Sequence, residues 1–227
     1  MKEKEREIQK LKEEHHLALS RISHEIRNPV TLINSSMQLI EAEHPEVLSF
    51  DLWDDMKKDM LFLRRLLDEL SGYNNGEKIH PEALELSSFL REIASNARLL
   101  SPDPNIRFST RFPEELPTIN GDPVKLRQAI TNLLRNAFES GATEVLFSCL
   151  CDKDGLVILV TDNGIGISPE IQDEIFTPFV THKKNGTGLG LPLVQRVARA
   201  HGGDITYSSG KEGTTFSFRL PTSIAAS

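Results

Sequence analysis

Between Ile8 and Ile40 the residues Ile8, Leu11, His15, Ala18, Ile22, Ile26, Val30, Ile33, Met37 and Ile40 recur at spacings of 3, 4, 3, 4, 4, 4, 3, 4 and 3. That period belongs to one long helix whose apolar stripe is close to a coiled-coil seam. The series slips by a residue between Ile22 and Val30, and Pro29 removes a backbone donor in the same turn, so a bend is expected there. The helix should end near Glu43-His44-Pro45. A second stripe follows at Leu52, Met56, Met60, Leu63, Leu67 and Leu70, and Gly72 with Asn74-Asn75-Gly76 stops it. Two helices joined by a short turn make an antiparallel hairpin, and one hairpin cannot enclose so wide an apolar surface. A dimeric four-helix bundle is the natural solution.

Beyond residue 73 the pattern changes. Residues 74–81 read as a linker, so the expected organisation is a helical domain over 1–73 and a second domain over 82–227. Helices are expected over Ser87–Leu100, Pro123–Ser140 and Leu189–Ala200, the second capped by Asp122 with Pro123 in its first position. Strands are expected over Ile106–Arg111, Glu144–Cys151, Leu156–Thr161, Asp204–Ser208 and Thr214–Leu220. The second domain is therefore an α+β sandwich, an antiparallel or mixed sheet with helices on one face. For 227 residues, two small domains fit the length.

Composition narrows the function. With 26 Lys and Arg against 33 Asp and Glu the net charge is −7, which disfavours nucleic acid as a partner. No apolar run reaches the length of a membrane span, and the charged start Met1-Lys-Glu-Lys-Glu-Arg leads into no signal peptide. The chain as given is expected to be cytoplasmic, with any membrane attachment supplied by a segment upstream of the charged helix Met1–His15. The only cysteines, Cys149 and Cys151, share one face of a strand and are poorly placed to bridge each other.

Several short patterns carry chemistry. His24 lies about 200° around the helix from both Ile22 and Ile26, which turns it away from the seam. Beside it, Glu25 can orient the imidazole and take its proton, and Asn28 follows one turn later on the same face. Downstream, Asp162-Asn-Gly-Ile-Gly166 follows an apolar strand, where the aspartate can accept from an exocyclic amine and the glycines let backbone approach a flat ligand. Gly186-Thr-Gly-Leu-Gly190 opens a helix whose N-terminus can hold phosphates. Asn132 and Asn136 present two amides on one helix face, suited to a hydrated magnesium beside phosphates. Each pattern has an ordinary structural explanation when taken singly.

In order, these segments resemble the motifs of the sensor histidine kinases of two-component systems. His24-Glu-Ile-Arg-Asn-Pro29 looks like their H box and Asn132-Leu-Leu-Arg-Asn136-Ala like their N box. Asp162-Asn-Gly-Ile-Gly166 and Gly186-Thr-Gly-Leu-Gly190 resemble the two glycine boxes, and Phe176-Thr-Pro-Phe179 the F box. The resemblance implies a dimerisation and phosphotransfer hairpin followed by a Bergerat-type ATP-binding domain. It further implies phosphorylation of His24 by ATP with Mg2+, helped by Glu25, and transfer to an aspartate of a response-regulator receiver domain. Nucleotide contacts are implied for Asn132, Asn136, Asp162, Gly164, Gly166, Ile167, Phe176, Lys183, Lys184, Gly186, Thr187, Gly188, Leu189, Gly190 and Thr215, with Asn136 on the metal. Phe176 and Phe179 are expected to pack the lid, which runs from Phe176 to Thr187. By resemblance to bifunctional members, Asn28 orients a water for receiver dephosphorylation.

The wording of the H box and lid most resembles the sporulation kinases of spore-forming bacilli, which implies a place in a sporulation phosphorelay. It also implies a small inhibitory protein near the hairpin turn. The rival class is a conformational ATPase of the gyrase, chaperone or mismatch-repair kind. Those proteins place a glutamate four residues before the magnesium asparagine, and here that position is Asn132, which cannot act as a base. A scaffold that has lost activity is disfavoured by intact His24, Asn136, Asp162 and glycines.

Overall fold

The computed structural model describes residues 2–101, 103–152, 155–183 and 186–221, and of residues 2–20, 24 and 152 it describes the backbone alone. Two compact units emerge, Met1–Asn75 with Lys183–Thr187, and Gly76–His182 with Gly188–Ser227.

In the first unit, helix α1 spans Lys2–Glu43 without interruption at Pro29. A 3-10 turn, Pro45–Ser49, leads to helix α2, Asp51–Asn74. The inner faces meet at Val30, Met37, Met60 and Leu67, with Trp53 packed against them. Near the turn, the Trp53 indole N–H donates to Glu41 Oε1 at 2.7 Å, and Lys57 Nζ lies 2.9 Å from the same oxygen. Lys57 first, and then Trp53, hold the Glu41 carboxyl below its usual range. Further along, Arg27 Nη2 donates to the Leu67 carbonyl and to Asp68 Oδ1. The hairpin is thus latched near both ends of its described side chains. Among the described residues of the stripe, Ile22, Ile26, Ile33, Ile40, Leu52, Met56 and Leu63 are exposed, and Leu70 is half-buried.

In the second unit, strand β1 (Glu82–Glu85) runs into helix α3 (Leu86–Ala97), and strand β2 (Arg107–Arg111) follows. Strand β3 (Thr118–Gly121) precedes helix α4 (Pro123–Phe138), and strands β4 (Glu144–Asp152) and β5 (Gly155–Asp162) form a hairpin. Helix α5 (Gly190–Ala200) leads to strands β6 (Asp204–Gly210) and β7 (Gly213–Leu220). The main sheet has the order β2-β4-β5-β7-β6, with β2 parallel to β4 and every other pair antiparallel. Strands β1 and β3 pair antiparallel in a separate small sheet that is not among the strands expected from the sequence. Each has only four residues, and β1 enters α3 without a turn, so neither displays a period.

One sheet face carries the core. Across the ladder Phe147, Val160, Phe216 and Tyr207 are partners, as are Cys149, Ile158, Phe218 and Ile205. Against them lie Ile130, Leu133, Leu134 and Ala137 of α4, and Leu193, Val194 and Val197 of α5. Burial pushes the Cys149 thiol up to about 12, and both cysteines are free thiols.

Candidate nucleotide-binding site

Asp162 ends β5 in phase with Ile158 and Val160, so the pleat aims a carboxylate at the side of the sheet that elsewhere is apolar. It is only 5% exposed. Its Oδ1 accepts from the Gly164 N–H at 2.9 Å and lies 3.0 Å from Ser140 Oγ, which follows the end of α4. Oδ2 takes part in neither bond. The Ile165 N–H in turn donates to the Ser140 carbonyl at 3.1 Å. A Cβ on Gly164 would stand 2.2 Å from Ser140 Oγ and 2.5 Å from its carbonyl oxygen. Only glycine lets the turn lie against α4 and fix Asp162 from both sides. Gly166 and Ile167 continue the segment, and the Ile167 N–H donates to Ser209 Oγ at 2.8 Å.

Helix α4 supplies the amides. Leu126, Ile130, Leu133, Leu134 and Ala137 are buried in the core, while Asn132 and Asn136 stand one turn apart on another strip of the helix. Asn132 is 5% exposed, its Oδ1 accepts from Arg135 Nη1 at 3.2 Å, and its Nδ2 is buried without a hydrogen-bond partner among the described residues. A buried amide donor left unpaired costs free energy that a ligand acceptor restores. Gly190 lies beside it, where a Cβ would come 3.9 Å from Asn132 Nδ2. Helix α5 begins there with no side-chain cap, so its first amides are available to an anion. An orphaned amide donor beside uncapped helix amides, together with a buried carboxylate, fits a nucleotide with its phosphates at α5. Among the described residues no three His, Cys, Asp or Glu side chains group to hold a metal ion. An asparagine carbonyl, water and phosphate oxygens form the donor set that suits Mg2+.

A backbone clasp joins Phe179 to Gly188 of the second glycine box. Phe179 donates its N–H to the Gly188 carbonyl at 2.9 Å, with Phe179 at φ 66° and Gly188 at φ 68°. A Cβ on Gly188 would meet the Phe179 carbonyl carbon at 2.6 Å. Phe176 packs on the core, its ring 6.2 Å from that of Tyr207 in β6. Phe179 does not: it is 60% exposed, because its left-handed backbone turns the ring outward. Leu189 is fully buried. Lys183, Gly186 and Thr187 belong to the first unit and are not grouped with Asn132 and Asp162. Lys184 lies outside the described residues.

Thr215 stands differently from the expectation. Its hydroxyl is 3.0 Å from that of Thr161, its ladder partner, and both face away from Asp162. Thr214 is the partner of Asp162, is buried, and meets Ser209 Oγ at 2.9 Å. Strand parity decides this, since neighbouring residues point to opposite faces. Thr214, Ser140 and Ser209 stand against Asp162 and its turn, and no motif in the sequence marks them. Counting in twos from Asp162 across the ladder finds the first, but the other two come together only through tertiary contact.

On α1, Glu25 and Asn28 are exposed. The His24 backbone is helical, and its side chain lies outside the described residues.

Residues 121–224 match the family described as histidine kinase-, DNA gyrase B-, and HSP90-like ATPase. The full-length ShkA structure, solved in complex with AMPPNP, superposes with a TM-score of 0.74 over 92% of this chain and 46% of that one, at 24% identity. The chain thus shares with that structure a helical hairpin followed by an ATP-binding fold. The ATP-binding part is of the Bergerat type found in such histidine kinases. Sensor histidine kinase ZraS of Escherichia coli is 34% identical over 216 residues, 92% of this chain and 46% of the relative. Sporulation kinase B of Bacillus subtilis is 31% identical over 210 residues, 88% of this chain and 48% of the relative. The chain spans about half the length of these histidine kinases. Among the described residues no helix is long and apolar enough to cross a membrane.

Proposed function

We propose that the chain is the catalytic core of an ATP-dependent protein histidine kinase, a transferase that phosphorylates its own His24 and passes the phosphoryl group to an aspartate of a response-regulator receiver domain. The observation that carries this reading is the similarity to ZraS over 92% of the chain, which takes in the hairpin with His24 as well as the ATP-binding fold. Bound Mg·ATP supplies the γ-phosphoryl group and the charge neutralisation that its transfer needs. Asp162 accepts from the adenine amino group through Oδ2. Asn132 donates Nδ2 to the phosphates, the first amides of α5 join it, and Asn136 offers its carbonyl oxygen to magnesium. The His24 imidazole nitrogen bonds to phosphorus as the bond to the ADP oxygen breaks, and Glu25 takes the imidazole proton. Asn132 stands where a water-activating ATPase needs a base, which supports transfer to a side chain over hydrolysis.

The exposed apolar stripe of the hairpin supports a homodimer. A narrower reading places the kinase in a sporulation phosphorelay. It is supported by the wording of its H box and lid and by the similarity to sporulation kinase B. A small inhibitory protein at the hairpin turn rests on the same resemblance alone. Labelled ATP tests the main reading: the wild-type chain takes up label that is acid-labile and base-stable, and His24→Ala takes up none while binding ATP with nearly unchanged affinity. Label of full intensity in the variant would remove His24 from its role. Transfer from the labelled chain to a phosphorelay receiver in preference to others tests the narrower one.

A further inference from the structure

His201, at the C-terminal end of α5, is 0% exposed and has no part in the chemistry described above. Its Nδ1 lies 2.8 Å from the Val197 carbonyl, so that nitrogen carries the proton and donates. The other ring nitrogen, Nε2, accepts from the Asp122 N–H at 3.0 Å. Asp122 is the N-cap of α4: its Oδ1 accepts from the amides of Val124 and Lys125, and its Oδ2 accepts from the His80 N–H. The imidazole therefore joins the last turn of α5 to the first turn of α4, the two helices that carry the amides of the nucleotide site.

The spacing gives this bond a consequence at the site. Asp122 and Asn132 are separated by ten residues of α4, Gly190 and His201 by eleven of α5, which is about 15 and 17 Å of helix. The helices run antiparallel, with Asp122 opposite His201 at one end and Asn132 opposite Gly190 at the other. A slide of one helix along the other that moved Asn132 from Gly190 would have to break the Asp122–His201 bond and leave a buried N–H unpaired.

We propose that His201 is a positioning residue, whose bond to the Asp122 amide sets the register in which Asn132 Nδ2 and the first amides of α5 converge on the nucleotide phosphates. The proposal rests on the ATP-binding reading above. His201→Asn keeps a donor for the Val197 carbonyl but does not reach the Asp122 amide, whereas His201→Gln places a carbonyl oxygen near the position of Nε2. In the full chain, His201→Asn should raise the dissociation constant for a fluorescent ATP analogue with Mg2+ by about tenfold, and His201→Gln should return it to within about threefold of wild type. The loss should appear in KM for ATP more than in kcat of autophosphorylation, because the imidazole touches no reacting atom. Wild-type affinity in a cooperatively folded His201→Asn chain, or a His201→Gln chain no better than it, overturns the proposal. Should His201→Asn fail to fold, hydrogen exchange on the wild-type chain decides: Mg·nucleotide should slow exchange of the Asp122 amide, and unchanged protection overturns the proposal. A wild-type chain that binds no nucleotide at millimolar concentration sinks the ATP-binding reading and this one with it, whereas the preceding outcomes sink this one alone.

Discussion

At the scale of single residues, the proposed site rests on polar groups set where the chain's own period calls for apolar ones. Asp162 occupies a core-facing strand position and is held from both sides by Ser140 and Gly164. Asp162→Asn replaces a charged acceptor with an amide of two orientations and should weaken ATP binding by about tenfold or more, read by calorimetry, while leaving the melting temperature near wild type. Gly164→Ala forces backbone against Ser140, and an overpacked contact of this kind costs about 1–3 kcal/mol. Both stability and ATP affinity should fall. His201 adds a pH dependence. Burial lowers its pKa from the ordinary value of 6.5, against the raising influence of the Val197 carbonyl and Asp122. The folded chain therefore binds this proton less readily than the unfolded chain. The stability contributed by the neutral ring is present above 6.5 and is lost as pH falls below it toward the lowered folded value. Urea titrations should show that part of the acid sensitivity absent from His201→Gln.

At the scale of elements, the helices are positioned by their caps and by the linker. The Glu85 side chain accepts from the Ser87 and Ser88 amides at the start of α3, and the Ser88 side chain foremost, with the Ser88 and then the Ser87 amide after it, brings its carboxyl down to about 2. Its contribution is present above the ordinary carboxylate value and lost as pH falls through about 2. Glu85→Gln should flatten the acid limb of the stability curve in this range. The linker is fastened to the same helices: Arg196 of α5 gives Nε and Nη2 to Glu77 Oε1 at 3.1 and 2.6 Å, and His80 is bound to the cap of α4. Glu77 is largely exposed, and a double-mutant cycle of Glu77→Ala with Arg196→Ala should return a coupling of about 0.5 kcal/mol. A much larger value would mean the pair is shielded from water.

For the whole molecule, the uncovered stripe of α1 and α2 is the dominant fact. Ile22, Ile26 and Ile33 lie on one helix and are each more than 40% exposed. A second hairpin laid over them would remove that surface from water. Light scattering should give about twice the 25.4 kDa chain mass. A chain that stays monomeric at low micromolar concentration would refute the bundle. The phosphatase action that the resemblance implies would belong to this scale as well, since it needs a docked receiver. Asn28 is exposed one turn from His24, and Asn28→Ala should slow decay of phosphorylated receiver while sparing labelling of His24. Equal decay with both proteins, where wild type accelerates it, excludes that role.

Regular periods made most of the elements legible. The seam spacings gave both hairpin helices, the alternation in β4, β5 and β7 gave the sheet, and Asp122-Pro123 marked the start of α4. The motif segments located Asp162, Asn132, Asn136 and Gly190 because each motif is contiguous in the chain. What lay out of reach joins distant positions. The four-residue β1–β3 pair has too few residues to show a period. The sharing of Asp162 between Ser140 and Gly164 depends on where α4 ends against β5. Phe179 faces water because its backbone is left-handed, which its residue type gave no cause to expect. His201 and Asp122 are 79 positions apart, and each alone reads as an ordinary helix-end residue. Local propensity and side-chain period act over a few residues and are written in the sequence. Helix register, strand parity across a ladder and the pairing of buried polar groups arise from packing, and only the tertiary structure decides them.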